Sequence, residues 1–392
     1  MAESVELLQD INHITLDGVE EDDDEGPNAR NTKCENYLRG ICIDAVLDNG
    51  ECRSGKHQDT FPSGSAWAPW TLRMLNFRPI HMVAKEDISA AIQDWLYFFP
   101  VSQVQVQLCG NFSTEVGDMF RETVTASQEA HFKLPRLSRQ ELEPSEDDGF
   151  MIFLKKFLKL VRDPKDHELD YLIQMSMKVD VRDIHPTQAT IHRNTILSWI
   201  RAMKMSSVKE AFLDDFFHAL AISVGAEINL SMLIKVRETC THDVTICEKR
   251  VRAIGGVEVR GVVNNIMRTT CLSKNTIGTS CGTIPQMAAE ALTVAKFSAF
   301  GNDISRIVYH LSIQMDKSSS GSYISMARTH VAMSTLERAA SSPIQNPLEP
   351  SLIFHSSVPA TDFRTKRGIK ALYKALRGVC LAHKKLNELV QL

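Results

Sequence analysis

The sequence predicts a mainly α protein: a helical body with one or two short β-hairpins, preceded by a small cysteine-rich module. Three observations carry that expectation. Apolar residues recur at helical spacing through most of the chain beyond residue 86. Alternation is read at VSQVQVQL, 101–108, and in the runs flanking Gly255-Gly256. Cys34, Cys42, Cys52 and His57 crowd into two dozen residues, a ligand set suited to tetrahedral Zn2+ that can fold a segment too short to bury a core.

With 392 residues, 43% hydrophobic and 23% charged, the chain is long enough for two or three domains. A formal charge of -4 supplies no global attraction for nucleic acid, so affinity of that kind must come from local patches. No basic-then-apolar leader and no run of eighteen apolar residues occurs, so a cytoplasmic or nuclear protein without a membrane span is expected. Nine scattered cysteines suit a reducing compartment, where metal ligation or burial replaces disulfides.

Residues 1–30, with the acidic run Glu20–Glu25, read as a disordered tail that serves solubility or docking. The segment 31–61 follows, with Cys34-x7-Cys42 enclosing Tyr37, Arg39 and Gly40, then Cys52 and His57. It resembles a CCCH zinc finger, usually C-x7/8-C-x4-6-C-x3-H; here the middle interval is x9 and the last x4. The resemblance implies Cys34, Cys42, Cys52 and His57 as zinc ligands. It further implies Tyr37 as a base-stacking group and Arg39, Arg53 and Lys56 as phosphate contacts on single-stranded RNA. A single finger ahead of a helical domain also resembles the transcription factors of pneumoviruses and filoviruses, in layout only. The finger's own net charge is -1 over 31–60, so other segments must supply the electrostatic grip.

The remaining chain divides by composition. Residues 62–134 read as a first helical lobe with a short strand: a linker anchored by Trp67 and Trp70, a helix from Ile88 ending at Pro100, and the alternating strand 101–108. A polar linker with two prolines, 135–149, leads to a main helical domain, 150–317. It opens with an amphipathic helix bearing Phe150, Phe153, Leu154, Phe157, Leu158 and Val161 against Lys155, Lys156, Lys159 and Arg162. Helices are expected over Thr187–Met205, Ser207–Val224, Met287–Phe300 and Asp303–Met315. Asp214, Asp215 and His218 read as a solvated helix face, since no third ligand or nucleophile accompanies them. Cys240, His242, Cys247, Cys271 and Cys281 fit no zinc spacing and read as buried thiols. Gly255-Gly256 reads as a hairpin tip in a basic run that includes Arg250, Arg252 and Arg260. Gly278–Gly282 matches neither a phosphate loop nor a nucleophile elbow.

A helix within 318–342, a proline-rich arm over 343–360, and a basic amphipathic helix over 361–392 complete the expected order. The last carries Lys370, Lys374 and Arg377 in a segment of net charge +6 and suits docking to RNA or to a second subunit.

No group of residues supplies nucleophile, base and oxyanion donor together, so a binding protein rather than an enzyme is expected. The sequence therefore points to a zinc-stabilised RNA-binding protein, a viral factor working with nucleocapsid or polymerase proteins in RNA synthesis in the host cytoplasm or virion. RNA contacts would come from Tyr37, Arg39, Arg53, Lys56, Arg250, Arg252, Arg260, Lys370, Lys374 and Arg377. Two rivals remain: a nucleoprotein that encapsidates RNA in its helical body, and a helical adaptor or host-factor antagonist.

Overall fold

The computed structural model describes residues 67, 71–72, 75–81, 87–96, 137–145, 147–205, 209–236, 239–246, 248–277, 283–301, 305–315, 322–340, 351–358 and 362–390. The expected acidic tail, the finger with Tyr37, Arg39, Arg53 and Lys56, the strand at 101–108 and the Gly278–Gly282 turn lie outside these residues.

In chain order come β1 (Phe77–His81), α1 (Ile88–Leu96), α2 (Arg139–Leu142), α3 (Gly149–Val161), α4 (Leu169–Met177), α5 (Pro186–Met205) and α6 (Ala211–Ile228). Then follow β2 (Met232–Val236), β3 (Thr241–Ile246), β4 (Lys249–Ile254), β5 (Val257–Val263), β6 (Ile266–Ser273) and β7 (Thr276–Ile277). The rest are α7 (Thr283–Val294), β8 (Phe300–Gly301), β9 (Ser305–Met315), β10 (Ser322–Ala332), α8 (Met333–Arg338), β11 (Ser351–Val358) and α9 (Lys366–Val390).

This is an α/β fold, and it overturns the mainly α expectation. A mixed sheet runs β1-β11-β10-β9-β6-β5-β2, with β7 and β8 also paired to β9, while β3 and β4 form a separate two-stranded sheet. The 11-residue strands β9 and β10 pair along their whole length, from Ser322↔Met315 to Ala332↔Ser305. β9 occupies the span expected as the helix Asp303–Met315, and within the helix expected over 318–342 lie β10 and then the short helix α8. β11 lies in the expected proline-rich arm and pairs with both β10 and β1.

The error has a physical cause. Ile307, Tyr309, Leu311, Ile313 and Met315 of β9 join one hydrophobic core, while Val308, on the opposite face, joins a second. Residues 309–315 do alternate apolar with polar, but Ile307, Val308 and Leu311 also match helical spacing, and that match masks the alternation.

The larger core lies between one sheet face and α1, α3, α5, α6 and α9; the smaller lies between the other face, α7 and the β3–β4 pair. Trp95 donates its indole N–H to the Ala327 carbonyl at 2.9 Å and fastens α1 to β10. Trp199 donates likewise to Phe363 at 2.9 Å, joining α5 to the approach of α9. The N-terminus of α3, preceded by Asp148, takes a carboxylate from α6: Glu227 accepts the Phe150 amide at 2.9 Å.

Helix α9 is the spine of the larger core, with Ile369, Leu372, Tyr373, Leu376, Val379 and Cys380 fully buried. Its expected sticky face is thus already covered by its own body. Thr365 caps it, accepting the Gly368 amide at 3.1 Å through Oγ1. Among the described residues no helix is long and apolar enough to cross a membrane.

Candidate functional site

The site begins with two glycines. β4 pairs with β3 in the small sheet, whereas β5 pairs with β2 and β6 in the main one. Gly255-Gly256 is therefore not a hairpin tip but the corner where the chain crosses between sheets. The Gly255 amide donates to the Cys240 carbonyl at 3.0 Å, and the Gly256 amide to the Ser273 carbonyl at 3.1 Å. A Cβ on Gly255 would sit 2.8 Å from Cys240 Sγ, and one on Gly256 2.7 Å from Asp214 Oδ1. Both are closer than carbon can approach, so the corner requires glycine.

This corner folds the start of β3 onto β5. Cys240, His242 and Glu258 are all buried, and their ligand atoms lie within 4.8 Å of one another. His242 Nε2 stands 2.8 Å from Glu258 Oε2. The other carboxylate oxygen, Oε1, accepts from Arg260 Nε at 2.8 Å and from Thr269 Oγ1 at 2.6 Å. Burial raises the Glu258 carboxyl, but these partners outweigh it and hold it down at about 2. Burial, then the charges of Glu258 and Glu290, push the Cys240 thiol well up.

Glu290, reaching in from α7, is 4% exposed. Its Oε2 lies 3.9 Å from the position a Gly255 Cβ would take and has no hydrogen-bond partner among the described residues. Lys274 Nζ lies 3.8 Å from Oε1, and His310 Nε2 lies 3.7 Å from Oε2. His310 is fully buried in the middle of β9, and neither ring nitrogen has a hydrogen-bond partner among the described residues.

Beside this centre lies a basic aromatic surface. The Phe297 ring, half-buried just after α7, has Lys296 Nζ 5.0 Å and Arg260 Cζ 5.7 Å from its centroid. Arg268 Nη1 donates to the Lys296 carbonyl at 3.2 Å. His242 packs on the same ring at 5.8 Å between centroids. On the β3–β4 pair, Arg250 and Arg252 are 69% and 56% exposed and share a single carboxylate, Asp243.

The other expected contacts are placed differently. Arg260 faces inward to Glu258. Lys374 is buried, with its ammonium on Ser89 Oγ and Glu143. Arg377 is half-buried, donating to the Glu141 carbonyl, and Lys370 is half-buried and engaged within the protein. The buried Asp214 belongs to no solvated face: it accepts from Asn275 Nδ2 at 2.9 Å and ties α6 to the sheet.

Cys240, Cys271 and Cys380 are buried thiols, but Cys240 also has histidine and carboxylate neighbours. Sequence spacing missed this because knuckle patterns describe turns. On a strand, positions i and i+2 share a face, which is the signal that Cys240 and His242 offered. Glu258 and Glu290 gave no signal, since their proximity is made by the corner and by α7. The chain matches no protein-family model and no curated protein.

Proposed function

We propose that this chain is a metal-stabilised protein that binds single-stranded RNA, and that it acts by binding rather than by catalysis. The observation that supports this reading is the Phe297 surface. An aromatic ring with Lys296 beside it, and Arg268 bonded to the Lys296 carbonyl, has the chemistry of a base-stacking platform next to phosphate contacts. Arg250 and Arg252, two guanidinium groups sharing one carboxylate, leave a net positive charge at the protein surface. The finger at Cys34, Cys42, Cys52 and His57 contributes the remaining RNA contacts. Work with a viral nucleocapsid or polymerase rests on the finger's layout alone.

The test is fluorescence anisotropy of labelled single-stranded RNA with the full chain, with and without chelator. Binding that weakens in Phe297→Ala and in the Arg250→Ala/Arg252→Ala double variant is expected. Absence of binding at low salt overturns the reading.

A further inference from the structure

A buried Cys-His-Glu triad with a second carboxylate, Glu290, beside it is more than core packing requires. Cys240 comes from the β2–β3 connection, His242 from β3, Glu258 from β5 and Glu290 from α7. Those elements belong to the small sheet, the main sheet and the helix between which the smaller core is packed. We propose that Cys240 Sγ, His242 Nε2, Glu258 Oε2 and Glu290 Oε2 hold a divalent transition-metal ion of the zinc class. The ion clamps the small sheet and α7 onto the main sheet, at a site separate from the finger.

The donor set selects the ion. One thiolate, one imidazole and two carboxylates form a borderline set that zinc accepts and that magnesium or calcium, which take oxygen alone, do not. Metal–ligand bonds of about 2.0–2.3 Å put tetrahedral ligands roughly 3.3–3.7 Å apart. The triad's atoms lie within 4.8 Å, with the His242–Glu258 pair at 2.8 Å. Side-chain movements of about an ångström therefore bring the triad to ligand spacing without moving a strand, and Glu290, which lies outside that 4.8 Å group, closes in from α7 as the fourth ligand.

The surroundings fit ligation. Arg260 and Thr269 occupy Glu258 Oε1 and leave Oε2 turned toward the centre, the outer-shell arrangement that orients a ligating carboxylate. Glu290 Oε2 is buried with no hydrogen-bond donor among the described residues, and Lys274 meets only the other oxygen, at 3.8 Å, so Oε2 has acceptor capacity left for a metal. Gly255 supplies the space, because a Cβ there would collide with Cys240 Sγ. Binding replaces the Cys240 S–H proton by the metal and releases it to solvent, so affinity falls as pH is lowered.

The proposal is independent of the RNA reading, and its test separates the two zinc sites. The full chain carrying Cys34→Ser and Cys42→Ser, which disables the finger, is loaded with zinc alone. Metal analysis is expected to give one ion per chain. X-ray absorption should show a first shell with one sulfur at about 2.3 Å and nitrogen or oxygen neighbours at about 2.0–2.2 Å. Adding Cys240→Ser should remove the sulfur, and Glu290→Gln should lower zinc affinity by roughly tenfold or more. A finger-disabled chain that is folded by circular dichroism yet binds no zinc overturns the proposal. So does a sulfur-free first shell, which can be read without any substitution at the site, or a sulfur that persists after Cys240→Ser.

Discussion

His242 Nε2 lies 2.8 Å from Glu258 Oε2, and both side chains are buried. With Arg260 and Thr269 on the other oxygen, the Glu258 carboxyl is held at about 2, against an ordinary value of 4.5. A carboxyl lowered in the folded state stabilises fully above its unfolded value and loses that contribution as pH falls toward its folded value. The urea midpoint of the wild type, measured in chelator, is therefore expected to fall more steeply than that of Glu258→Gln between about pH 4.5 and pH 2. By linkage the difference is on the order of 3 kcal/mol. Parallel profiles would show that Glu258 is not held ionised.

Gly368 marks where α9 leaves its cap. A Cβ there would fall 2.0 Å from the Asp362 carbonyl oxygen and 2.6 Å from Phe363 Cα, which are backbone atoms with nowhere to go. At Gly378 the same addition meets the flexible ends of Leu142 and Leu96 at 3.0 and 3.1 Å. Gly368→Ala should cost about 3 kcal/mol or more, and Gly378→Ala nearer 1 kcal/mol, by urea denaturation. The reverse order would mean that the start of α9 can shift.

The sequence places Lys374 on a basic helix face, yet the side chain is buried, with its ammonium on Ser89 and on Glu143 at the surface. Glu143 is half exposed, which discounts the pair, so Lys374→Ala should lower stability by roughly 1–3 kcal/mol. RNA affinity of the folded variant should stay at the wild-type value. A variant of unchanged stability with weakened RNA binding would return Lys374 to the interface.

These contrasts show what local sequence carries. Helix α3 was legible because Phe150, Phe153, Leu154, Phe157 and Val161 face a core while Lys155 and Lys159 do not. α5 and α6 were legible for their length. Strands β9 and β10 were missed although β9 carries a strand signal, with His310, Ser312 and Gln314 alternating with Tyr309, Leu311, Ile313 and Met315, because Ile307, Val308 and Leu311 also fit helical spacing. α9 was legible as a helix, but its charges hid its place, since Lys374 and Arg377 look the same in sequence whether they meet water or a carboxylate of the protein. At the site, Cys240 and His242 were visible as residues. Their partners were not, because a two-glycine corner and a separate helix bring Glu258 and Glu290 to them.

The Phe297 surface makes a prediction with two independent readouts. Cations that meet phosphates release counterions, so each lost contact on a single strand reduces the slope of log affinity against log salt by about 0.7. Lys296 stands beside the ring with Arg268 bonded to its carbonyl, and neither forms an ion pair among the described residues, so Arg268→Ala/Lys296→Ala should flatten that slope by about 1.4. Stacking on an aromatic face is worth about 1–3 kcal/mol per base and carries no counterion term. Phe297→Ala should accordingly weaken binding by that amount at every salt concentration and leave the slope unchanged. Anisotropy titrations at four salt concentrations check both. A Phe297→Ala protein that binds like wild type would leave the ring as packing for His242 and remove the stacking platform, whatever the cations do.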